Sequence, residues 1–442
     1  MPKTITEHKK FSCTKLGNNN NKFWNVTLYD NDDVMSEWGR QGKTAQSKTW
    51  HGVGRSFMDK KIAEKNKKGY FENKTVEGSG EVRISAKSVS DGELKDIVVK
   101  QVRSKNPVVA KLMSFLVDVN AHAIHKATGG KITYDTSSAT FRTTQGVVVP
   151  QQVTRARDLL AIMYDFVKTG KYSSLEDELN EYLSLIPRDF GMKRMSPQDI
   201  LPDLAAISAE LDILDGLDTS FAGLQTATKT KKKTTKKKAA PKIFDVDMEI
   251  VIDKKILSHI KHLYQSTRKS MHASNNLSVQ TVYSVTIKTM KDRFDGKGAS
   301  MKNIWQLWHG TRSSNLLSIL KGGLIIPSSS ASHCTGRMYS DGVYFSDIST
   351  KALNYATNFW GSGGNTDRTF MFLADVAMGN YHIAQSSWTK YPVSGSDSTW
   401  AKGRDKGGVT SGVINDEMIV YNLGQCNLVY LVEFVPRSQL RK

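Results

Sequence analysis

Hydrophobic and polar positions follow three different patterns along the chain. Residues from about 8 to 76 carry short aromatic and β-branched runs, such as Phe23 to Tyr29, between Asp, Asn and Gly turns. That pattern predicts strands. A Lys-rich stretch from Met58 to Lys68 favours a helix. From residue 77 to 100, Gly, Ser and charged residues dominate and indicate a linker.

Between residues 100 and 224, apolar residues recur at helical spacing. Asn106 before Pro107 is typical of a helix start. The apolar positions that follow are Val109, Leu112, Met113, Leu116, Val119 and Ala123. Ser173 with Glu176 indicates a capping box before a later helix. The pattern predicts an all-α bundle.

Alternation returns in the last part of the chain. The predicted strands cover residues 283–287, 342–346, 369–377, 417–421 and 428–435, with short helices between them. The whole chain is therefore predicted to be a multidomain α+β protein. Its expected divisions are a small β-rich domain, a linker, a helical bundle, a Lys-rich linker and a mixed α+β domain, over residues 1–80, 81–99, 100–224, 225–242 and 243–442.

Composition narrows the class of protein. A chain of 442 residues is too long for one ordinary core. No apolar run is long enough to span a membrane, and the N-terminus lacks the apolar segment of a signal peptide. Cys13, Cys334 and Cys426 lie far apart and show no metal-ligand spacing. We expect an intracellular protein with no membrane partner and no metal.

Net charge points to a polyanionic partner. The formal charge is +19, and eight lysines without an acid lie between Lys229 and Lys242. Such a balance favours nucleic acid, although a solvated basic surface explains charge alone equally well. The lysine run cannot bury a core and is expected to be disordered. It is either a solubilising linker or a nuclear-localisation or DNA-tethering segment.

Three motifs in the last domain carry candidate chemistry. Leu307 to Arg312 reads Leu-Trp-His-Gly-Thr-Arg and leads from a strand into a short helix. Asp341 to Asp347 is a strand bounded by turn residues, and the helix after it holds Tyr355. Asn415 to Tyr421 begins another strand. Together, in this order, they resemble the catalytic domain of the poly(ADP-ribose) polymerases, diphtheria-toxin-like ADP-ribosyltransferases with a His-Tyr-Glu signature.

The resemblance implies how NAD⁺, the substrate, is held. It assigns His309 to the adenosine-side ribose and the backbone of Gly310 to the nicotinamide carboxamide, with Thr311 beside them. Tyr344 and Tyr355 would sandwich the nicotinamide ring. Aromatic stacking suits that flat cationic ring and contributes on the order of 1 kcal/mol.

The resemblance also implies the catalytic group. Glu417 would stabilise an oxocarbenium-like ribose and bond or deprotonate the attacking hydroxyl. Strand alternation points Asp416 to the opposite face, so Asp416→Asn is expected to be mild. Thr335 to Met338 matches the family's donor loop, and Met338 an apolar residue of the acceptor pocket. No metal is required.

Several positions depart from the family pattern. Ala352 stands where many members have a serine that bonds the carboxamide, and Arg337 replaces a common tyrosine. Ile325 replaces an arginine near the adenosine side, and Met418 a tyrosine. These changes affect the expected NAD⁺ affinity and inhibitor fit, but not the expected reaction type.

The two upstream regions resemble parts of the same family. Leu185 to Lys193 matches the helical regulatory domain, which in the family hinders NAD⁺ entry until DNA binds. Trp38-Gly39-Arg40, closed by Lys67 to Tyr70, resembles a WGR domain. Trp38 could stack on a DNA end, and Arg40 could contact phosphate. Residues 1–76 hold 15 basic and 8 acidic residues, which suits phosphate contact.

The resemblance therefore implies a DNA-dependent NAD⁺ ADP-ribosyltransferase of the poly(ADP-ribose) polymerase type. Its expected partners are DNA breaks or ends and protein acceptors, including itself, and we expect a monomer. The retained glutamate favours polymer formation. The alternatives are a mono-ADP-ribosyltransferase and an inactive DNA-end-binding scaffold. The expected location is the nucleus in a eukaryote, and otherwise the cytoplasm or nucleoid.

Overall fold

The structure is a computed structural model. It describes residues 3–16, 20–40, 44–72, 98–135, 140–143, 146–190, 194–217 apart from 205 and 208, 244–326, 338–357, 368–387, 390–407 and 412–440. The predicted Lys-rich linker, the loop residues Thr335 to Arg337 and Cys334 lie outside the described residues. Two compact units are present: the described residues of 1–93 and 121–236 form the first, and those of 94–120, 237–329 and 334–442 form the second.

The first unit begins with a five-stranded antiparallel sheet in the order β4-β3-β2-β1-β5. Its elements are β1 (Ile5–Lys15), β2 (Asn20–Tyr29), β3 (Val34–Arg40), β4 (Gln46–Trp50), α1 (Gly54–Asn66) and β5 (Phe71–Glu72). The core contains Phe11, Trp24, Val26, Leu28, Val34 and Met58. Met58 is the buried residue of α1. Lys60 is exposed, whereas Lys61 and Lys65 are half-buried. The predicted small β-rich domain is confirmed.

The helical region follows in the chain. Its helices are α2 (Pro107–Ala127), α3 (Pro150–Lys168), α4 (Glu176–Leu185) and α5 (Pro197–Ile200), and residues 209–217 are also helical. Residues 107–120 of α2 belong to the second unit, and the rest of the helical region belongs to the first. A three-stranded sheet interrupts the bundle, with strands β7 (Thr133–Asp135), β8 (Thr140–Thr143) and β9 (Gly146–Val147). The predicted bundle is confirmed, with this small sheet as an addition. The sheet was not predicted because its strands, of three, four and two residues, are too short to show a period in the sequence.

The structure agrees with one predicted helix start and contradicts another. The side chain of Asn106 accepts a hydrogen bond from the backbone N–H of Val108 at 2.9 Å, as a helix start requires. The predicted capping box of Ser173 with Glu176 is wrong. Residues 172–174 form a 3₁₀ turn instead, and α4 begins after Leu175 without a side-chain cap.

The sheet domain and the bundle share packing within the first unit. Leu16 lies directly after β1, is 4% exposed and belongs to the bundle core, with Leu179 and Leu183 of α4. Its backbone N–H donates to Asn180 Oδ1 at 3.2 Å. The first domain thus places one of its own side chains inside the bundle.

The second unit contains two sheets. The six-stranded sheet has the order β12-β14-β18-β11-β10-β6, and the four-stranded sheet has the order β13-β17-β16-β15. The strands are β6 (Val102–Arg103), β10 (Val246–Ile250), β11 (Leu277–Ile287), β12 (Ile304–Gly310), β13 (Val343–Phe345), β14 (Thr369–Ala377), β15 (Tyr381–Ile383), β16 (Ser398–Ala401), β17 (Glu417–Val420) and β18 (Cys426–Pro436). The helices are α6 (Lys254–Ser266), α7 (Lys288–Gly296), α8 (Leu316–Gly322) and α9 (Ser349–Ala356). The predicted mixed α+β domain is confirmed.

Residues 100–120 of the predicted bundle belong to the second unit. Strand β6 pairs in parallel with β10, and the guanidinium of Arg103 binds the carboxylates of Asp245 and Asp247. The expected domain boundary at residue 100 stays a prediction, but residues 102 and 103 are part of the second unit's sheet. A deletion from residue 100 would therefore remove a strand of that sheet.

Helix α2 is long and apolar enough to span a membrane, by length and composition alone. In the folded chain, 39% of its most apolar segment is buried. A core helix gives the same signal, and this one contributes buried residues to the folded chain: Val109, Leu112, Met113, Leu116, Val117 and Ile124. The expected lack of a membrane partner remains a prediction.

Candidate active site

The site lies where the two sheets of the second unit meet. Trp308 of β12 and Ser346, directly after β13, exchange backbone hydrogen bonds of 2.9 and 3.0 Å. From there β12 pairs with β14, and β13 pairs with β17. The bridge from Trp308 to Ser346 and the pairing of β13 with β17 therefore bring the three sequence motifs to one junction.

His309 is oriented by the neighbouring strand. Its Nδ1 lies 3.0 Å from the carbonyl oxygen of Tyr344. Because a carbonyl only accepts hydrogen bonds, we assign the proton to Nδ1, which leaves Nε2 as an acceptor. Burial lowers the pKa of His309 below its usual value, although its contact with the Tyr344 carbonyl opposes that shift. A neutral imidazole with a free acceptor nitrogen suits a ribose hydroxyl.

The lowered pKa of His309 predicts how KM for NAD⁺ depends on pH. Because its folded pKa is lowered, His309 stays neutral throughout the range above the ordinary histidine pKa of about 6.5. We expect KM for NAD⁺ to stay flat as pH falls from about 8 to about 6.5, and to rise only below that range, where protonation converts Nε2 into a donor. Initial rates of nicotinamide release across the pH range measure this. A KM that rises already between about pH 8 and 7 contradicts the assigned state of His309.

Gly310 is required by the packing of α9 against β12. A Cβ atom at this position would lie 1.7 Å from the carbonyl oxygen of Ala352. Only glycine permits that approach. Thr311 follows, and its hydroxyl accepts a hydrogen bond from the amide of Asn315 at 3.2 Å. Gly310 is therefore needed for packing as well as for the backbone contact with a ligand that the family resemblance implies.

Tyr344 is held through its hydroxyl. That hydroxyl donates to the carbonyl oxygen of Ser340 at 2.8 Å and accepts from the backbone N–H of Tyr339 at 3.1 Å. Met338, the predicted acceptor-pocket residue, packs with Tyr344 against a cluster that includes Tyr339 and Ile419. The ring of Tyr344 is thereby fixed at the site.

Glu417 forms an ion pair that the sequence motifs did not predict. Lys351 Nζ lies 2.8 Å from Glu417 Oε1, and both side chains are largely buried, at 16% and 14% exposure. The same ammonium donates to the carbonyl oxygen of Asn415 at 2.9 Å. A buried, doubly held lysine fixes the direction of the carboxylate. The available signal was helical spacing, since Lys351 lies four residues before Tyr355 on α9.

Tyr355 shares this environment. Although 44% of its surface is exposed, burial and then the negative charge of Glu417 raise its pKa to about 12. Its hydroxyl is therefore neutral at physiological pH. The charge effect places Tyr355 near Glu417. The predicted sandwich of a nicotinamide ring between Tyr344 and Tyr355 stays a prediction.

The predicted DNA-binding residues lie in the first unit. Trp38 is half-buried and packs against the core of the five-stranded sheet, and Arg40 is the last residue of β3. Little space is available for a side chain at Gly39, which lies between them, because a Cβ atom there would lie 3.2 Å from the ring of Phe23. Trp38 is thus both a core residue and a partly accessible ring.

Family models match three parts of the chain. The model for the poly(ADP-ribose) polymerase catalytic domain matches residues 254–435, that for the regulatory domain of the same polymerases matches residues 106–247, and that for the WGR domain matches residues 9–77.

The chain belongs to the poly(ADP-ribose) polymerase family.

The chain is similar to a relative named as a mono-ADP-ribosyltransferase and to relatives named as poly(ADP-ribose) polymerases. Protein mono-ADP-ribosyltransferase PARP3 of Mus musculus is 25% identical, covering 97% of this chain and 89% of the relative. Poly(ADP-ribose) polymerase 2 of Arabidopsis thaliana is 24% identical, covering 83% of this chain and 59% of the relative. Poly(ADP-ribose) polymerase 1 of Danio rerio is 25% identical, covering 93% of this chain and 43% of the relative. This chain thus spans most of the first relative and about half of the other two.

The predicted order of WGR, regulatory and catalytic domains is confirmed by these matches. The chain is an NAD⁺ ADP-ribosyltransferase of the poly(ADP-ribose) polymerase type. Among the described residues, no group of three His, Cys, Asp or Glu side chains could hold a metal ion.

The departures from the family pattern have different environments. Ala352 and Met418 are buried, at 4% and 2% exposure, whereas Ile325 is 57% exposed. Arg337 lies outside the described residues. Ala352 offers no hydroxyl to a ligand, but its carbonyl oxygen is the atom against which Gly310 packs. The side chain of Ala352 belongs to the apolar core cluster that contains Trp308 and Leu353.

Proposed function

We propose that this polymerase family member transfers ADP-ribose from NAD⁺ to protein acceptors, including itself, in response to DNA breaks, and extends the product into polymer. One observation carries the chemical part of the proposal. The oriented, neutral His309, the fixed Tyr344 and the ion-paired Glu417 lie at one junction of two sheets.

The roles of the residues follow from their chemistry. His309 Nε2 accepts from a hydroxyl of the adenosine-side ribose, and the backbone of Gly310 bonds the nicotinamide carboxamide, next to Thr311. Tyr344 and Tyr355 hold the nicotinamide ring. That ring is cationic in NAD⁺ and becomes neutral as it leaves, so the site must support positive charge that moves onto the ribose.

The transfer step uses Glu417. The bond between ribose C1′ and the nicotinamide nitrogen breaks, and nicotinamide leaves with the electron pair. The acceptor nucleophile forms a bond to C1′ and passes its proton to the Glu417 carboxylate. The carboxylate also stabilises the oxocarbenium-like ribose. Lys351 holds the carboxylate through one oxygen, so the second oxygen is available to the substrate.

Polymer formation rests on the retained His309, Tyr344 and Glu417 together. A mono-ADP-ribosyltransferase is the second candidate, and its support is the mouse relative that covers most of this chain and carries that name. Incubation with labelled NAD⁺ and nicked DNA, resolved on a denaturing gel, separates the possibilities. A ladder supports the polymerase, a single shifted band supports mono-transfer, and no label indicates an inactive scaffold.

The response to DNA is assigned to the WGR domain. Its helix α1 carries four basic residues and two acidic ones, with no acidic residue in its first turn, and the domain as a whole is basic. Lysine and arginine side chains neutralise phosphates, while an aromatic ring stacks on a base or sugar. We assign the ring to Trp38 and a phosphate contact to Arg40. Nuclear location is the expectation, because the polymerase-family relatives compared come from eukaryotes.

Trp38→Ala is expected to weaken binding to a DNA end more than glutamine substitutions in the 229–238 lysine run. Stacking contributes about 1–3 kcal/mol per base, whereas linker lysines give an attraction that salt screens. Fluorescence anisotropy at two salt concentrations measures the difference.

The control for this comparison is the melting temperature, because Trp38 also packs against the core of its sheet. Trp38→Phe keeps most of that packing and a smaller stacking face, so it should bind DNA with intermediate affinity. If the lysine substitutions weaken binding more than Trp38→Ala at high salt, Trp38 has no leading role in DNA contact.

A further inference from the structure

Asp416 is a buried carboxylate directly before the proposed catalytic residue. Its side chain is completely inaccessible to solvent. Strand alternation predicted that it points away from the Glu417 face, and its partners agree with that direction. A carboxylate is costly to bury unless donors surround it. Its position beside Glu417 therefore requires an explanation.

Three donors from one segment surround the Asp416 carboxylate. Trp400 Nε1 donates at 2.8 Å, the backbone N–H of Gly403 at 2.7 Å, and Lys406 Nζ at 3.3 Å. Glycine is needed at 403, since a Cβ atom there would lie 2.4 Å from the carbonyl oxygen of Ile414. The segment from β16 to residue 406 is thus clamped onto the residue before Glu417.

Lys406 extends this clamp to a second element of the site. Its ammonium also binds the carboxylate of Asp347, which lies between β13 and α9. Strand β13 carries Tyr344, and α9 carries Lys351, the partner of Glu417. One ammonium therefore ties the residue before Glu417 to the turn between the other two site elements.

The backbone of Asp416 is tied to the same turn. Its carbonyl oxygen accepts from Ser346 Oγ at 3.0 Å and from Lys351 Nζ at 3.2 Å. Both the side chain and the main chain of Asp416 are fixed, so the direction in which Glu417 leaves the backbone is fixed as well.

We propose that Asp416, bridged by Lys406 to Asp347, is a positioning residue for Glu417. We refer to Asp347, Lys406 and Asp416 as the acidic brace. The proposal rests on the proposed function, in which Glu417 acts at the ribose. The acidic brace lies on the face of the strand opposite to the Glu417 side chain. It acts on the reaction only by fixing the position of the Glu417 carboxylate. Asp416→Asn is therefore expected to be severe, contrary to the mild effect expected from alternation alone.

The test uses the full-length protein with Asp416→Asn and Lys406→Met. Lys406→Met is the gentler change, because Asp416 keeps its two N–H partners and the lysine side chain is 37% exposed. Misplacing a catalytic group by about 1 Å costs up to about 100-fold in rate. We expect kcat for nicotinamide release to fall about 10- to 100-fold, while KM for NAD⁺ changes far less. Asp292→Asn removes an exposed helical ion pair with Lys288 and is the control, with unchanged kcat.

A double-mutant cycle separates positioning from general destabilisation. If the brace acts by placing Glu417, Asp416→Asn should have little further effect on kcat in a Glu417→Gln protein. Rates are measured well below the melting temperature of each variant, and Lys406→Arg should restore most of the activity lost in Lys406→Met.

Two results overturn the proposal: wild-type kcat in folded Lys406→Met, or an equal loss of kcat from Asp416→Asn with and without Glu417. The wild-type rate tests the proposed function separately. A wild-type chain that releases no nicotinamide contradicts that function, and the brace proposal falls with it.

Discussion

Glu417→Gln is expected to abolish detectable polymer synthesis while leaving NAD⁺ binding largely intact. The carboxylate acts mainly where positive charge develops on the ribose, and removing one such electrostatic group costs on the order of 10²–10³ in rate. The nicotinamide ring and the adenosine-side ribose are held by other residues, so the ground-state complex should survive. Single-turnover nicotinamide release and calorimetric titration with NAD⁺ measure the two properties separately.

The structure indicates that this variant will fold. After the substitution, Lys351 still donates to the carbonyl oxygens of Asn415 and Asp416, so its ammonium is not left without partners. An unchanged melting temperature is the control. Polymer formation at a rate near that of the wild-type protein would rule out the catalytic role of Glu417, whereas a large loss of NAD⁺ affinity would mean that it mainly binds substrate.

Sequence patterns were most informative where burial was complete or strictly alternating. The strand predicted over residues 369–377 has the observed bounds Thr369–Ala377, because it lies between two other strands of its sheet and is buried along almost its whole length. The strands predicted over residues 342–346 and 417–421 are observed as Val343–Phe345 and Glu417–Val420. Local motifs mark His309, Tyr344 and Glu417, so these residues could be proposed for the site without tertiary information.

Contacts between distant segments were not predictable in the same way. Lys351 and Glu417 are far apart in sequence, and the helical spacing that places Lys351 beside Tyr355 does not show that it pairs with Glu417. Alternation predicted the face of Asp416, but not that Trp400, Gly403 and Lys406 would cover that face. Strand β6 has only two residues, and its parallel pairing with β10 depends on the folded sheet. Periodicity describes one element at a time, while these features belong to pairs of elements.

Leu179→Ala and Leu183→Ala are expected to raise activity in the absence of DNA and to reduce stimulation by nicked DNA. The two leucines are 0% and 1% exposed and form part of the bundle core, so each substitution should cost about 2–5 kcal/mol. If the regulatory bundle hinders NAD⁺ entry, the competent state is a minor population, and loosening the bundle enlarges it. Each 1.4 kcal/mol is about tenfold in that equilibrium, so basal automodification should rise about tenfold or more until the competent state dominates.

Leu16 gives this coupling a physical route within the first unit. It follows a strand of the WGR domain, yet it is buried with Leu179 and Leu183, and its backbone N–H bonds Asn180. DNA can shift the balance only if it interacts differently with the WGR domain in the two states. A change at the end of β1 would reach the bundle core directly, so Leu16→Ala should resemble the two α4 variants in basal activity.

Point substitutions are better probes than deletion of the regulatory region, because removing residues 100–224 would also remove β6 from the second unit's sheet. Met58→Ala is the matched control, since Met58 is fully buried in the core of the five-stranded sheet. It should lower the melting temperature without raising basal activity. If Leu179→Ala and Leu183→Ala melt at a lower temperature but keep wild-type basal activity, the bundle does not restrain the active site in this protein. Stimulation by DNA would then have to act on the catalytic domain by another route.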